Sequence, residues 1–150
     1  MNETYITASV EETELLGAAF ARELVQSYSG DCIFVAMYGD LGAGKTAFVR
    51  GFASVISPQS TVRSPTYTIV NEYRKGNISA IRLFHFDMYR ITDEDELYSI
   101  GFHDYIKSGS ICVSEWTENV KSYLPSDLDI RSVSIEKFPD DESKRKIIFT

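Results

Sequence analysis

One eight-residue segment has the residue types and spacing of a phosphate-binding loop. The sequence GDLGAGKT matches the pattern G-x-x-x-x-G-K-[ST] in full. Its glycines allow consecutive backbone N–H groups to point at phosphate oxygens, Lys45 can neutralise the β- and γ-phosphates, and the Thr46 hydroxyl can ligate Mg²⁺. The segment predicts a site for ATP, or less favourably GTP, with Mg²⁺. The predicted contacts are Gly39, Asp40, Leu41, Gly42, Ala43, Gly44, Lys45 and Thr46.

Two carboxylates follow apolar runs that are typical of buried strands. Asp87 comes after IRLFHF, and Glu115 comes after ICVS. A P-loop enzyme needs a second carboxylate, at the end of a neighbouring strand, for the metal or its waters. Both residues are therefore candidate metal-linked acids, and the alternative for each is an ordinary solvated carboxylate at a strand end.

Thr66 and Trp116 are further candidates with two interpretations each. Thr66 lies in the loop SPTYT, where P-loop switches carry a hydroxyl that senses the γ-phosphate. A plain turn explains it equally well, because Ser64-Pro65 is already a turn signal. Trp116 is the only tryptophan and directly follows Glu115, so it is either a core residue or a residue of a site or partner surface.

The histidines and cysteines predict structural roles. His85 and His103 lack metal-ligand spacing and are interpreted as satisfied structural histidines. Cys32 and Cys112 each lie in an apolar run without a CxxC motif, which indicates buried free thiols.

Strand and helix patterns alternate along the chain. A capping box at Ser9 precedes a helix with a predicted apolar face of Leu15, Leu16, Ala19, Phe20 and Leu24. The runs CIFVAMYG and SICVSEW indicate buried strands, KTAFVRGFASVIS a helix, and TDEDELYSIGFHDYI one or two short helices. Two hairpins are predicted, one turning at 75–77 and one in the last twenty residues. The pattern favours an α/β fold with a mixed sheet.

Composition limits the classes of function. With 150 residues the chain is long enough for one domain, predicted as 1–150. A net charge of −7 disfavours direct binding to bare nucleic acid. The polar, acidic N-terminal segment is unlike a signal peptide, and no apolar run approaches 18 residues. We therefore expect a cytoplasmic protein without membrane association.

Four motifs together resemble one family. They are GDLGAGKT at 39–46, SPTYT at 64–68, HFDMYR at 85–90 and SEW at 114–116. In this order they resemble the TsaE (YjeE) family of bacterial P-loop ATPases in tRNA threonylcarbamoyladenosine biosynthesis. The segments EETELLG and ELYSIGFHDY are also similar to that family, so the resemblance covers nearly the whole chain.

The resemblance implies a P-loop NTPase-like three-layer sandwich with a mixed, mainly parallel central sheet flanked by helices. It implies ATP hydrolysis coupled to modification of adenosine 37 in tRNAs that read ANN codons. The family's ATPase acts on a TsaB–TsaD pair and supports its repeated turnover, so tRNA would be met only through that complex.

The resemblance also assigns roles by position. Lys45 and Thr46 fall in the phosphate and Mg²⁺ site, and Asp87 occupies the Walker-B-like position. Glu115 corresponds to the further metal-linked acid, Thr66 is switch-like, and Thr13 matches a threonine near the adenine. A late nucleotide contact falls within 143–146 (Ser143 to Lys146), and partner contacts around Trp116 stay open because SEW is followed here by TEN.

The sequence leaves two other functions open. A small-molecule kinase would need an acceptor pocket and usually an arginine-rich lid, and the sequence has no such segment. A non-catalytic module would bind ATP only to hold a docking shape. ATP is favoured over GTP by the resemblance, and no guanine-reading NKxD motif is present.

Overall fold

The computed structural model describes residues 2–77 and 79–150. Its strands are β1 (Glu3–Thr7), β2 (Ile33–Tyr38), β3 (Val70–Tyr73), β4 (Arg82–Asp87), β5 (Ser110–Glu115), β6 (Asp129–Phe138) and β7 (Asp141–Phe149). Its helices are α1 (Val10–Gln26), α2 (Lys45–Ile56), α3 (Glu94–Ser99) and α4 (Phe102–Tyr105), followed by 3₁₀ turns at Thr117–Asn119 and Lys121–Tyr123. Among the described helices, none combines the length and the apolar character needed to cross a membrane.

The strands form one mixed sheet in the order β1-β7-β6-β2-β5-β4-β3. The four central strands β6, β2, β5 and β4 pair in parallel. Strands β3 and β7 run antiparallel to their central neighbours, and β1 is antiparallel to β7, so β1 points the same way as the centre. The sheet is therefore mainly parallel, which confirms the prediction.

Both predicted hairpins are present at the sides of the parallel centre. β3 and β4 pair across the turn at 75–77, and β6 pairs with β7. After the turn at 75–77 the second strand of the first hairpin begins only at Arg82, and Ile78 lies outside the described residues.

Helices cover both faces of the sheet, which gives three layers. On one face α1 and α2 pack on alternate residues of the central strands, including Val35, Leu83 and Val113. On the other face α3, α4 and the 3₁₀ turns pack on Phe34, Phe84 and their neighbours. β2 is buried from Ile33 to Met37 because both of its faces are covered, as its continuous apolar run predicts.

Helix α1 begins as its sequence predicts but turns a different face inward. The Ser9 hydroxyl accepts a hydrogen bond from the Glu12 N–H (3.1 Å), as expected for the cap. The predicted apolar face was wrong at Leu15, which is 67% exposed, and at Ala19. The buried face instead consists largely of small residues, namely Thr13, Gly17, Ala18 and Ala21 with Leu24.

The small residues are inward because α1 and α2 approach each other closely. A Cβ atom on Gly17 would lie 2.2 Å from the Phe48 carbonyl oxygen, and one on Gly51 would lie 1.8 Å from the Glu14 carbonyl oxygen. Neither position has room for a methyl group. A leucine side chain is too large for the contact between α1 and α2, and Leu15 faces solvent instead.

We expect Gly51→Ala to destabilise the protein, although alanine favours helix more than glycine by about 1 kcal/mol. The added methyl group overlaps the α1 backbone, and overpacking of this kind costs about 1–3 kcal/mol. Urea denaturation should therefore show a lower midpoint. Ser54→Ala, an exposed change on the same helix, is the control and should leave the midpoint unchanged or raise it; a stabilised Gly51→Ala would contradict the close helix contact.

Candidate functional site

The segment 39–46 forms a loop between the end of β2 and the start of α2. Gly39 and Gly44 have φ angles of 153° and 107°, in the range that favours glycine. A Cβ atom on Gly39 would also lie 2.6 Å from the Ile135 carbonyl oxygen of β6. These glycines are therefore required by the backbone path and by the neighbouring strand.

The loop ends in a helix N-terminus with unpaired donors. The first α-helical hydrogen bond runs from the Phe48 N–H to the Gly44 carbonyl (3.1 Å), so preceding N–H groups have no helical acceptor. Lys45 is buried at the start of this helix and donates through Nζ to the Gly39 carbonyl (2.6 Å). Thr46 follows it, only partly buried. This arrangement can hold an anion through backbone dipoles and one fixed cation.

Lys45 also reaches the end of β5. Its Nζ lies 4.5 Å from the centre of the Trp116 ring, a cation–π contact. Trp116 also contacts the Tyr89 ring, with centroids 5.1 Å apart, and packs against the core on one face of the sheet. The tryptophan is therefore half-buried, with contacts both to the core and to Lys45 of the loop, so both interpretations of its sequence position hold in part.

Asp87 and Glu115 lie side by side at the carboxyl ends of β4 and β5. They are direct partners in the parallel register, so both side chains leave the same face of the sheet. Asp87 is 6% exposed and Glu115 4%. Because Trp116 follows Glu115 and contacts Lys45, the two acids are at the same edge as the loop.

Each acid has one oxygen committed to the protein. Asp87 Oδ1 accepts from the Tyr89 N–H (2.9 Å), and Glu115 Oε2 lies 2.5 Å from His85 Nε2. Within the described residues, Asp87 Oδ2 and Glu115 Oε1 have no hydrogen-bond partner. Carboxylate oxygens and hydroxyl groups, of which Thr46 supplies one at the start of α2, are hard-oxygen ligands of the kind that Mg²⁺ prefers.

His85 is the site residue that the sequence reasoning assigned only a structural role. It is fully buried, and besides Glu115 it is joined through Nδ1 to the Tyr73 hydroxyl (2.8 Å). Burial raises the pKa of Tyr73, so this phenol remains neutral at physiological pH. One signal could have identified His85: in HFD, His85 and Asp87 are two residues apart on a strand and therefore share a face.

The loop that contains Thr66 is attached to the site by its backbone. Thr66 is exposed, and its hydroxyl contacts Ser64 Oγ (3.1 Å). Farther along, the Ile69 carbonyl accepts from the Asp87 N–H (2.8 Å). Ile69 has a φ angle of 69°, which is strained for a β-branched residue. Trp116 has a φ of 56°, so both strained non-glycine residues flank the acids.

Thr13 and the segment 143–146 meet at the other side of the loop. Thr13, Gly44, Ala47, Ser143 and Arg145 line a cleft of about 110 Å³. The Thr13 hydroxyl lies 2.7 Å from that of Thr7, so it is already paired within the protein. The structure thus brings the two sequence-predicted segments together beside the phosphate loop.

Arg145 anchors the loop 39–44 from β7. Its Nε donates to the Ala43 carbonyl (2.7 Å), and its guanidinium also donates to the Glu142 and Lys144 carbonyls. No sequence motif marks this residue, because its partner is a backbone oxygen 102 positions earlier.

The residues that follow the SEW motif form hydrogen bonds to the ends of three strands, β2, β4 and β5. The Thr117 hydroxyl donates to the Ser114 carbonyl (2.9 Å) and lies 3.5 Å from the Met37 carbonyl of β2. The Asn119 amide donates to the Met88 and Tyr89 carbonyls just past β4 (3.0 and 3.2 Å). Thr117 and Asn119 of the TEN segment therefore help to hold the ends of β4 and β5 in place.

We expect Arg145→Met to loosen the phosphate loop. A hydrogen bond to a charged group contributes about 1.5–3 kcal/mol, and its loss should speed hydrogen exchange in 40–44. Mass spectrometry of exchanging peptides measures this. Lys144→Met removes the same charge at an exposed neighbour, and equal exchange in the two variants would contradict the anchoring role.

Comparisons with known proteins agree on one family. The family model for "Threonylcarbamoyl adenosine biosynthesis protein TsaE" matches residues 7–147. The chain is 43% identical over 124 residues to "tRNA threonylcarbamoyladenosine biosynthesis protein TsaE" of Haemophilus influenzae, covering 83% of this chain and 75% of that protein. It is 37% identical to the Bacillus subtilis protein of the same name over 147 residues, covering 96% and 82%.

A solved structure supports the same assignment. A crystal structure of YdiB from Bacillus subtilis superposes with a TM-score of 0.70 at 28% sequence identity, covering 99% of this chain and 84% of that one. The match of fold extends over the same length as the match of sequence. The chain belongs to the TsaE family of threonylcarbamoyladenosine biosynthesis proteins.

Proposed function

We propose that this protein is a Mg²⁺-dependent ATPase that serves tRNA threonylcarbamoyladenosine modification by acting on a TsaB–TsaD-type complex. The observation that carries the proposal is the contact of Lys45 with Trp116, since it brings the phosphate loop against the strand end that holds Glu115, with Asp87 beside it. The names of the relatives supply the pathway.

Lys45 and the start of α2 bind the triphosphate. The backbone N–H groups of the loop and the helix dipole attract phosphate oxygens. Lys45 is held near this point by the Gly39 carbonyl and the Trp116 ring, so little reorganisation is needed for its Nζ to meet the β- and γ-phosphates. The lysine thereby offsets charge that builds up as the γ-phosphoryl group leaves.

Thr46, Asp87 and Glu115 are the residues that would hold Mg²⁺ and its water ligands. The free Asp87 Oδ2 and Glu115 Oε1 provide the carboxylate oxygens for this role. A Mg²⁺ ion held by these residues would supply positive charge that offsets the charge of the phosphates. Hydrolysis then joins a water oxygen to the γ-phosphorus, breaks its bond to the β–γ bridging oxygen, and releases ADP, phosphate and a proton.

The rim of the site has the surface expected for a protein partner. Leu41 is 83% exposed, Tyr67 84% and Tyr89 60%. Arg90 lies over the Tyr67 ring at 5.2 Å, so the loop 64–68 and the end of β4 share this surface. Exposed aromatic and apolar groups of this kind are enriched in protein interfaces, which supports a partner that covers the bound nucleotide.

We expect purified protein to release phosphate from ATP slowly, and faster with a TsaB–TsaD pair. Lys45→Ala should lower kcat/KM by at least about 100-fold, because it removes a positioned charge from the transition state. Phosphate release measures the activity. Fluorescence of Trp116, the only tryptophan, measures nucleotide binding separately in the wild type.

Other results of this experiment would favour a different function. ATP binding without hydrolysis, even with the pair, would contradict the ATPase and favour a non-catalytic binding module. Phosphate transfer to a small metabolite would favour a kinase. Activity indifferent to the pair would contradict the partner role while leaving the ATPase in place.

We expect Tyr67→Ser to weaken stimulation by the TsaB–TsaD pair several-fold, since an aromatic anchor of an interface contributes about 1–2 kcal/mol or more. ATP hydrolysis is titrated with increasing amounts of the pair. Tyr98→Ser removes an exposed tyrosine on α3 and is the matched control. Unchanged stimulation in Tyr67→Ser would place the docking surface elsewhere.

A further inference from the structure

A continuous chain of hydrogen bonds runs from the loop after α2 to the acid Glu115. The Tyr73 hydroxyl donates to the Arg63 carbonyl (2.9 Å) and accepts from the Arg63 N–H (3.3 Å). It is joined to His85 Nδ1 at 2.8 Å, and His85 Nε2 lies 2.5 Å from Glu115 Oε2. The three side chains thus connect a loop backbone to a candidate metal-linked acid.

The sheet register explains why these three side chains can meet. Asn71 pairs with His85 across β3 and β4, and Asp87 pairs with Glu115 across β4 and β5. Tyr73 and Glu115 are each displaced by two residues from direct pairing with His85. Residues two apart on a strand share a face, so all three side chains lie on a diagonal across one side of the sheet.

The chain of bonds is buried, which makes it sensitive to each member. Tyr73 and Glu115 are 4% exposed and His85 is fully buried. A buried polar group that loses its partner costs about 1–3 kcal/mol, so each group constrains the next. An unbroken series of paired polar groups therefore connects the Glu115 carboxylate with the Arg63 backbone.

The loop has a second attachment near the same place. The Asn71 amide donates to the Arg63 carbonyl (3.1 Å), and the Thr68 hydroxyl donates to Asn71 Oδ1 (2.9 Å). Arg63 is thus held from β3, while its side chain remains exposed. The backbone of Arg63 is thus one point at which the loop carrying Thr66 is attached to the core, and the Ile69 carbonyl is another.

We propose that Tyr73 and His85 are positioning residues that hold Glu115 for ATP hydrolysis and couple its state to the loop 60–69. The proposal rests on the proposed ATPase function and adds residues that neither strand ends nor the phosphate motif would single out. Loss of the Tyr73 hydroxyl breaks the coupling without touching nucleotide. His85→Gln breaks it one residue closer to Glu115, because it removes the ring that joins Tyr73 to Glu115.

The experiment compares Tyr73→Phe and His85→Gln with wild type and with Tyr105→Phe. Tyr105 packs on the opposite face of β4, against Phe84 and Phe86. Its hydroxyl makes no hydrogen bond within the described residues, so Tyr105→Phe is a matched loss of a tyrosine hydroxyl. ATP affinity is measured by Trp116 fluorescence, kcat by phosphate release, and loop 60–69 by amide hydrogen exchange.

We expect Tyr73→Phe and His85→Gln to lower kcat at least about tenfold while ATP affinity changes less than about twofold, since small displacements of a positioned group cost up to about a hundredfold in rate. Glu115→Gln and His85→Gln should both speed amide exchange in 60–69, although among the described residues neither side chain is hydrogen-bonded to that loop. Tyr105→Phe should change neither quantity.

The coupling requires both the kinetic and the exchange effects. Wild-type kcat in Tyr73→Phe, or unchanged exchange of 60–69 in both Glu115→Gln and His85→Gln, would overturn it even if the wild type is an active ATPase. If the wild type hydrolyses no ATP, the proposed function fails and the exchange measurement alone decides the coupling. Should His85→Gln fail to fold, Tyr73→Phe and Glu115→Gln provide the same comparison.

Discussion

The parallel pairing of β2, β5 and β4 brings three strand ends to one edge of the sheet, and the rest of the candidate site depends on this pairing. β2 leads into the phosphate loop, β5 ends at Glu115, and β4 ends at Asp87. Because parallel strands point in one direction, segments that are far apart in the chain place their last side chains at the same edge.

Holding polar groups at this edge requires that each buried one be paired. Glu115 and His85 satisfy each other, Tyr73 extends the pairing to a loop, and Lys45 combines a carbonyl contact with an aromatic face. Backbone strain at Ile69 and Trp116 is located beside the same acids. A buried network of this kind keeps its shape only while all members are present, and this makes it suited to register a change at one end.

Prediction from sequence succeeded where a residue type is demanded by local chemistry. The loop between β2 and α2 follows from the contiguous spacing of its glycines, and the Ser9 cap follows from a pattern four residues long. The apolar runs of β2 and β5 revealed their central position because both faces of these strands are covered. Motif order was sufficient to indicate the family that the comparisons then showed.

Prediction from sequence failed, or gave no result, for residues whose contacts lie far away in the chain. The predicted inward face of α1 was wrong at Leu15. Hydrophobicity alone does not reveal that α2 approaches α1 so closely that only small residues fit between them. Arg145 carries no motif, since its acceptor is the backbone of Ala43. The sequence predicted a purely structural role for His85, and only the contact of His85 with Glu115 indicates that it belongs to the site.

The sequence by itself determined the loop 39–46 as a candidate phosphate site, the order of strands and helices, the two candidate acids and the family. Each depends on short-range spacing or on residue type, which the chain carries without folding. Only the tertiary structure decided that the acids are neighbours, that Trp116 lies under Lys45, and that Tyr73 and His85 link Glu115 to a loop. These relations arise from strand register and burial, which bring together groups that no local pattern relates.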